Sequence, residues 1–293
     1  MSQMLFLSYR PKPPLSEFVD YFWLAMNADA PRNERILPSG TIELVVNLRD
    51  DEVRIYDPTQ LERYRRYSGI VVSGTYSRAF ACDARQHASM FGVHFKPGGA
   101  FPFIGAQASD LTDTHAYLAD LWGQSAVELR EQLCAAKTPM LRFHVMEEVL
   151  TTRLRRSPKR HPAVRMALHM FGSAGVGSAV QDVAREVSIC KRHFIQLFST
   201  EVGLTPKLFC RLLRFQRARV LAEQFGSIRL DPMERRQVPS VPNWAELATR
   251  CGYFDQSHMI NDFQEFSGLS PTQFLRQHQR DARLKDNHVP ISR

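Results

Sequence analysis

Apolar residues change their spacing along this chain, and the change marks out its organisation. Up to about residue 95 they come in short β-branched runs broken by glycine and proline. Arg35–Leu48 holds a Pro-Ser-Gly turn followed by Thr41-Ile-Glu-Leu-Val-Val-Asn-Leu48, and Gly69–Tyr76 and Ser89–Phe95 are similar runs. Each reads as a strand region. After Asp110 the spacing turns helical: Tyr117, Leu118, Leu121 and Trp122, then Val127, Leu129 and Leu133. A further helix is predicted from about Leu141 to Leu154, with Val145, Met146, Val149 and Leu150 as its apolar face. Arg153–Pro162 is basic, has few apolar residues and carries two prolines, each of which disfavours helix in the residue before it. A linker is placed there. The expected fold class is α+β: an N-terminal unit over 1–154, strands then helices, and an all-α unit over 155–285.

Within the second unit a pattern repeats at an offset of about 65 residues. Asp182-Val-Ala-Arg-Glu-Val-Ser-Ile-Cys-Lys-Arg-His-Phe leads to Phe198, Gly203 and Pro206; Glu246-Leu-Ala-Thr-Arg-Cys-Gly-Tyr-Phe-Asp-Gln-Ser-His leads to Phe263, Gly268 and Pro271. His193 and His258 match at 65, whereas Ala184 and Ala248 match at 64, so the second copy has one extra residue in its turn. A small residue in each first helix lets a second helix cross closely. The second helix is expected to open on a polar cap, Ser188 or Asp255. It ends at Gly-Leu-(Thr/Ser)-Pro, where glycine takes a left-handed conformation and proline starts the next helix. Two helices joined by a tight turn, one with an exposed polar face, are the geometry of the helix-turn-helix. The units fall at about 178–200 and 244–267, with a connecting helix over about 206–224.

Charge sharpens this picture. The net +8 divides into +11 over residues 151–293 and −3 over 1–150, so the module suited to a polyanion is the one with the repeat. No run approaches 18 apolar residues, so no membrane span is expected, and the N-terminus lacks a basic stretch ahead of its short apolar run, so no secretory signal is expected. Five widely spaced cysteines without a CxxC pair read as reduced thiols in a cytoplasmic protein.

The second copy, with Gly-Tyr-x-Asp-Gln-Ser-His and Phe-x-x-x-x-Gly-Leu-Ser-Pro, resembles the AraC/XylS family of bacterial transcription regulators over about residues 160–280. The resemblance implies two helix-turn-helix units whose reading helices enter successive major-groove segments on one face of double-stranded DNA. Leu37–Leu44 and Phe95–Ala100 resemble, more weakly, an uncharacterised domain found ahead of such units. One departure stands out. Residues 226–243 form an insertion with three prolines, expected to be a surface loop. It leaves the spacing of the two units open, and Arg229, Arg235 and Arg236 are placed either near phosphate or in idle solvent.

Helical geometry sorts the candidate contacts. With Phe194, Leu197 and Phe198 turned inward, Arg192, Ile195, Gln196 and Ser199 face out. Arg192 suits guanine, Gln196 suits adenine and Ile195 suits a thymine methyl. Cys190 and Lys191 stand at the helix start. Gln256, Ser257, His258 and Asn261 are the outward set of the second helix, made less basic by Asp262 and Glu265. His193 and His258 read either as contacts or as rings packed at a helix crossing. Arg211, Arg214, Arg217 and Arg219 on the connecting helix are candidates for phosphate contacts, which set register without reading sequence; pairing with nearby acids is the other reading, for Arg214 above all.

An enzyme is not expected. His87, His94, Cys82 and Asp83 lack metal-ligand spacing, and no nucleophile elbow or phosphate loop occurs, so no catalytic residue, metal or cofactor is assigned. The N-terminal half is expected either to sense a small molecule, in a pocket among the strands of 35–95, or to mediate homodimerisation; Phe80, Phe91 and Phe95 read equally as lining of such a pocket or as core. RNA polymerase joins the partners if the protein activates; activator versus repressor stays open.

Overall fold

Two antiparallel sheets make up the N-terminal half. The first has the order β1 (Leu5–Tyr9), β2 (Val19–Met26), β9 (Ser89–Phe95), β4 (Glu43–Asn47), β7 (Ile70–Ser73), β10 (His115–Tyr117). The second runs β13 (His288–Pro290), β3 (Asn33–Ile36), β8 (Phe80–Asp83), β5 (Val53–Asp57), β6 (Gln60–Tyr67). These come from a computed structural model that describes residues 5–26, 33–83, 86, 89–155, 160–173, 180–226, 229–230, 237–238, 242–278 and 287–291.

Strand alternation sends the first sheet's side chains to two destinations. Phe22, Leu24, Leu44, Val46, Ile70, Val72, Phe91 and Val93 face a helical layer of α1 (Phe101–Ile104), α2 (Leu118–Trp122), α3 (Gln124–Ala135) and α4 (Pro139–Leu154). Leu129, Leu133, Phe143, Met146 and Leu150 fill the other side of that core. On the opposite face Trp23, Ala25, Val71 and Met90 meet Val53 of the second sheet. Gly92 has no room for a side chain there, since a Cβ would lie 2.1 Å from the Trp23 ring.

The C-terminal half is helical: α5 (Pro162–Ser173), α6 (Val180–Glu186), α7 (Lys191–Val202), α8 (Pro206–Gly226), α9 (Trp244–Arg250), α10 (Gln256–Ser267) and α11 (Pro271–His278). The fold is α+β, as the sequence pattern predicts. In the insertion, β11 (Arg229–Leu230) pairs with β12 (Gln237–Val238), while Arg235 and Arg236 lie outside the described residues.

The chain does not end with its helices. β13 returns to the N-terminal half and pairs with β3, His288 opposite Ile36 and Val289 opposite Arg35. Val289 is buried in the same apolar cluster as Phe274 and Leu275 of α11, and that cluster takes in Leu37 as well. The two halves thus share one core, and a strand from the far end of the sequence forms one edge of the second sheet.

Candidate nucleic-acid interface

The two repeat copies close their turns in the same way. Ile189 N–H donates to the Ala184 carbonyl (3.3 Å) and Tyr253 N–H to that of Ala248 (3.0 Å), with both alanines buried. Immediately before the residue that closes each turn the backbone is left-handed: Ser188 at φ 55 in the first copy, Gly252 at φ 77 in the second. Ser188 is therefore the turn residue and not the expected cap. The N-cap of α7 is Cys190, which makes no side-chain capping bond. Asp255 does cap α10, its Oδ1 accepting from His258 N–H at 2.7 Å. α7 and α10 both stop at a left-handed glycine, Gly203 (φ 91) and Gly268 (φ 71), and Pro206 and Pro271 open the helices that follow.

The connecting helix α8 holds both units through two aromatic plugs. Phe209 packs on Phe198 (5.5 Å) and Phe171 (6.4 Å) in the first unit; Phe215 packs on Phe263 (5.0 Å) and Phe266 (5.2 Å) in the second. With those faces turned inward, Cys190, Lys191, Arg192, His193 and Gln196 are exposed and Ile195 is half-buried. On α10, Gln256, Ser257 and Asn261 are exposed, and the half-buried His258 ring stands edge-on to Tyr253 at 5.3 Å. Ser199 is not outward as expected: its hydroxyl is buried.

The arginines of α8 divide in a way that spacing alone did not show. Arg211 is no phosphate contact here. It forks onto Asp262 (2.6 Å) and Glu265 (2.5 Å) of α10, and these two acceptors, with Glu265 foremost, raise its pKa above the ordinary value. Both acids of α10 are thus paired with α8, Asp262 fully buried and Glu265 exposed. Arg214 lies over the Tyr253 ring at 5.4 Å rather than on an acid. Arg219 is 4% exposed, ion-paired to Glu223 (2.6 Å) and donating to Gln216 (3.0 Å), so it does not reach a phosphate. Arg217 is exposed.

A second site lies between the two sheets. A cavity of about 110 Å³ is lined by Tyr21, Trp23, Glu43, Tyr76, Phe80 and His115, together with Asn287 and His288 at the start of β13. Phe80 is there as expected. Phe91 and Phe95 are not; they point into the helical layer, and their strand offers Met90 to the cavity instead. His94, a candidate in the metal reading, stacks on Tyr21 (4.9 Å) and bonds Glu43 (2.6 Å). Cys82 also lines the cavity, and among the described residues no cluster of His, Cys, Asp or Glu could hold a metal. His87 lies outside them.

Burial pulls the His115 pKa down from 6.5 to about 3 and pushes that of Tyr76 well up. The neutral imidazole shares a hydrogen bond between its Nδ1 and the Tyr76 hydroxyl, whose direction follows the ring's tautomer. Between pH 6.5 and about 3 the unfolded chain takes up a proton that the folded chain refuses, so stability falls as pH falls through that window. The slope from this group reaches at most about 1.4 kcal/mol per pH unit. In urea unfolding at pH 7.5 and 5.5, His115→Gln should lose less stability on acidification than the native chain. Equal losses would contradict a buried neutral histidine.

Comparison with known proteins fits this geometry. Residues 183–277, which span both helix pairs and α8, match a family described as a helix-turn-helix domain, and residues 7–117 match one described as a domain of unknown function (DUF6597). Residues 183–277 are an AraC-type helix-turn-helix domain. The chain accordingly carries the DNA-binding module of a transcription regulator. No curated relative matches it in sequence. Among solved structures, the C-terminal domain of AraT, a response regulator from Geobacillus stearothermophilus, is 18% identical and covers 44% of this chain and 95% of its own, at a TM-score of 0.34. ToxT from Vibrio cholerae is 8% identical and covers 92% of this chain and 98% of its own, at 0.43. Unsaturated fatty acid-bound ToxT from strain SCE256 is also 8% identical, at 94%, 97% and 0.44. Likeness at these scores is loose, and the assignment to the AraC type rests on the family match and the repeat. Among the described residues no helix is long and apolar enough to cross a membrane.

Proposed function

We propose that α7 and α10 read successive major-groove segments of one duplex, with α8 holding them in register. The observation that carries this is the pair of exposed polar stripes, Arg192 and Gln196 on α7 and Gln256, Ser257 and Asn261 on α10, borne by one shared core. Arg192 and Gln196 are base readers; Cys190, Lys191 and Ile195 border them; Arg217 is the phosphate anchor that α8 keeps available. On variant duplexes derived from a selected site, Arg192→Ala should cost about 1–3 kcal/mol and relax preference at one or two base pairs. Arg217→Ala should weaken all sequences alike and lower the salt slope by about one unit. A uniform loss from Arg192→Ala would make that residue an anchor and α7 rotated from this placement.

The N-terminal half, in this reading, senses a small molecule in the cavity between the sheets. Its size is near that of cavities that hold one aromatic ring, and aromatic walls with Glu43 and a neutral His115 suit a single-ring compound with a hydrogen-bonding substituent. The same wall supports transmission to the DNA-binding half. Leu37, Pro38, Ser39 and Thr41 line the cavity; next to them Gln216 of α8 donates to the Pro38 carbonyl, and a Cβ on Gly40 would lie 3.2 Å from Leu212 and Phe209. β13 does likewise, joining cavity to α11 through Val289. With phenol and benzylamine as probes, the unfolding temperature of the full chain should rise and its affinity for a selected duplex should change. A chain ending at residue 286 should lose the second effect. A rise with no change in DNA affinity would sink the transmission, and no rise the ligand class. Should this half dimerise instead, sedimentation would show a dimer insensitive to either probe. RNA polymerase enters as a partner if the protein activates.

A further inference from the structure

The second reading unit has one residue more than the first, and the structure identifies which. The turn-closing bonds from Ile189 and Tyr253 to Ala184 and Ala248 align at an offset of 64, whereas the N-caps Cys190 and Asp255 align at 65. Cys190 follows Ile189 directly. Between Tyr253 and Asp255 stands Phe254, which is therefore the added residue.

Its environment is unlike that of its neighbours. Ile189 is half-buried and packs on the shared core, and Tyr253 is 4% exposed. Phe254 is 92% exposed, against 50% for Leu141, the next most exposed large apolar side chain among the described residues. A phenylalanine left wholly in water gains nothing for the fold, because its stabilising contribution comes from leaving water. It also stands immediately ahead of the first turn of α10, where Gln256 and Ser257 are exposed. The first turn of a recognition helix is the part that meets base edges. Among the groups that bases offer in the major groove, the one an apolar side chain recognises is the thymine 5-methyl.

We propose that Phe254 is a specificity residue that packs against a thymine methyl at the edge of the segment entered by α10. The proposal rests on the reading of α10 as a DNA-contacting helix. It makes the second unit's extra residue a part of its base recognition, and it offsets the absence of a cation in the first turn of α10.

The test uses the full chain and duplexes selected from a random pool by the native protein and by Phe254→Ala. The native protein should select an A·T pair, with thymine on a fixed strand, at one position flanking the α10 segment; Phe254→Ala should select no base there. Replacing that thymine by uracil removes only the methyl group. The native chain should then lose about three- to tenfold in affinity, Phe254→Ala should lose nothing, and Phe254→Leu should keep part of the loss. An unchanged unfolding temperature in Phe254→Ala shows that folding is not the cause. Equal uracil sensitivity in both proteins, or identical selected sites with equal affinity, overturns the proposal while leaving DNA reading by α10 intact. An unchanged duplex affinity with lost transcriptional activation would place Phe254 on a protein partner instead, and also overturns it. If the native chain selects no sequence at all, the reading of α10 fails together with the proposal.

Discussion

Arg211→Ala is expected to lower the stability of the full chain by about 3–5 kcal/mol. The guanidinium is three-quarters buried between α8 and α10, lies 5.3 Å from the Phe266 ring and is the partner of the fully buried Asp262. Removing it leaves a carboxylate in the core with no compensating charge, and that is costlier than losing an exposed pair. Arg211→Met combined with Asp262→Leu should therefore cost much less than Arg211→Ala alone, since neither charge remains. Urea unfolding of the three proteins decides the matter. A single-variant loss below about 1 kcal/mol would place Arg211 among the surface arginines, free for a phosphate.

Phe215→Ala should cost a similar amount, about 3–5 kcal/mol, by leaving a cavity against Phe263 and Phe266. Its effect should be local in a way that reports the architecture. Hydrogen exchange should show amides of α10 losing protection while those of α7 keep theirs, because the first unit is held by Phe209 instead. Equal loss in both helices would mean that the two units unfold as one body and that α8 is not a two-plug connector.

The parts of this protein that were legible in its sequence are those set by local rules. The repeat, its glycine stops and the prolines that open α8 and α11 follow from backbone conformations few residues supply, and β4, β7 and β9 announce themselves as apolar runs between turns. What stayed hidden depends on neighbours far along the chain. β6 reads Gln-Leu-Glu-Arg-Tyr-Arg-Arg-Tyr and is mostly exposed at a sheet edge, so no apolar pattern marks it. β13 has three residues and is a strand because β3 offers it an edge. The arginines of α8 share one helix and one chemistry; only the positions of Asp262, Tyr253 and Glu223 across the fold make Arg211 a tie, Arg214 a ring cover and Arg219 a buried prop. Phe91 read equally as pocket wall or core; it is core, and Met90 beside it faces the cavity, because neighbouring residues of a strand point to opposite faces. Phe254 did leave a trace, the change of offset from 64 to 65, but its exposure needed the folded turn.

The claim at the centre of this account is that both units engage one duplex together. Hydroxyl-radical footprinting of the full chain on a selected site tests it most directly. Two protected segments are expected on one face of the duplex, about one helical turn apart. Gln256→Ala with Asn261→Ala should weaken the segment covered by α10 and leave the α7 segment in place. A single protected segment, unchanged by substitutions on α10, would contradict it.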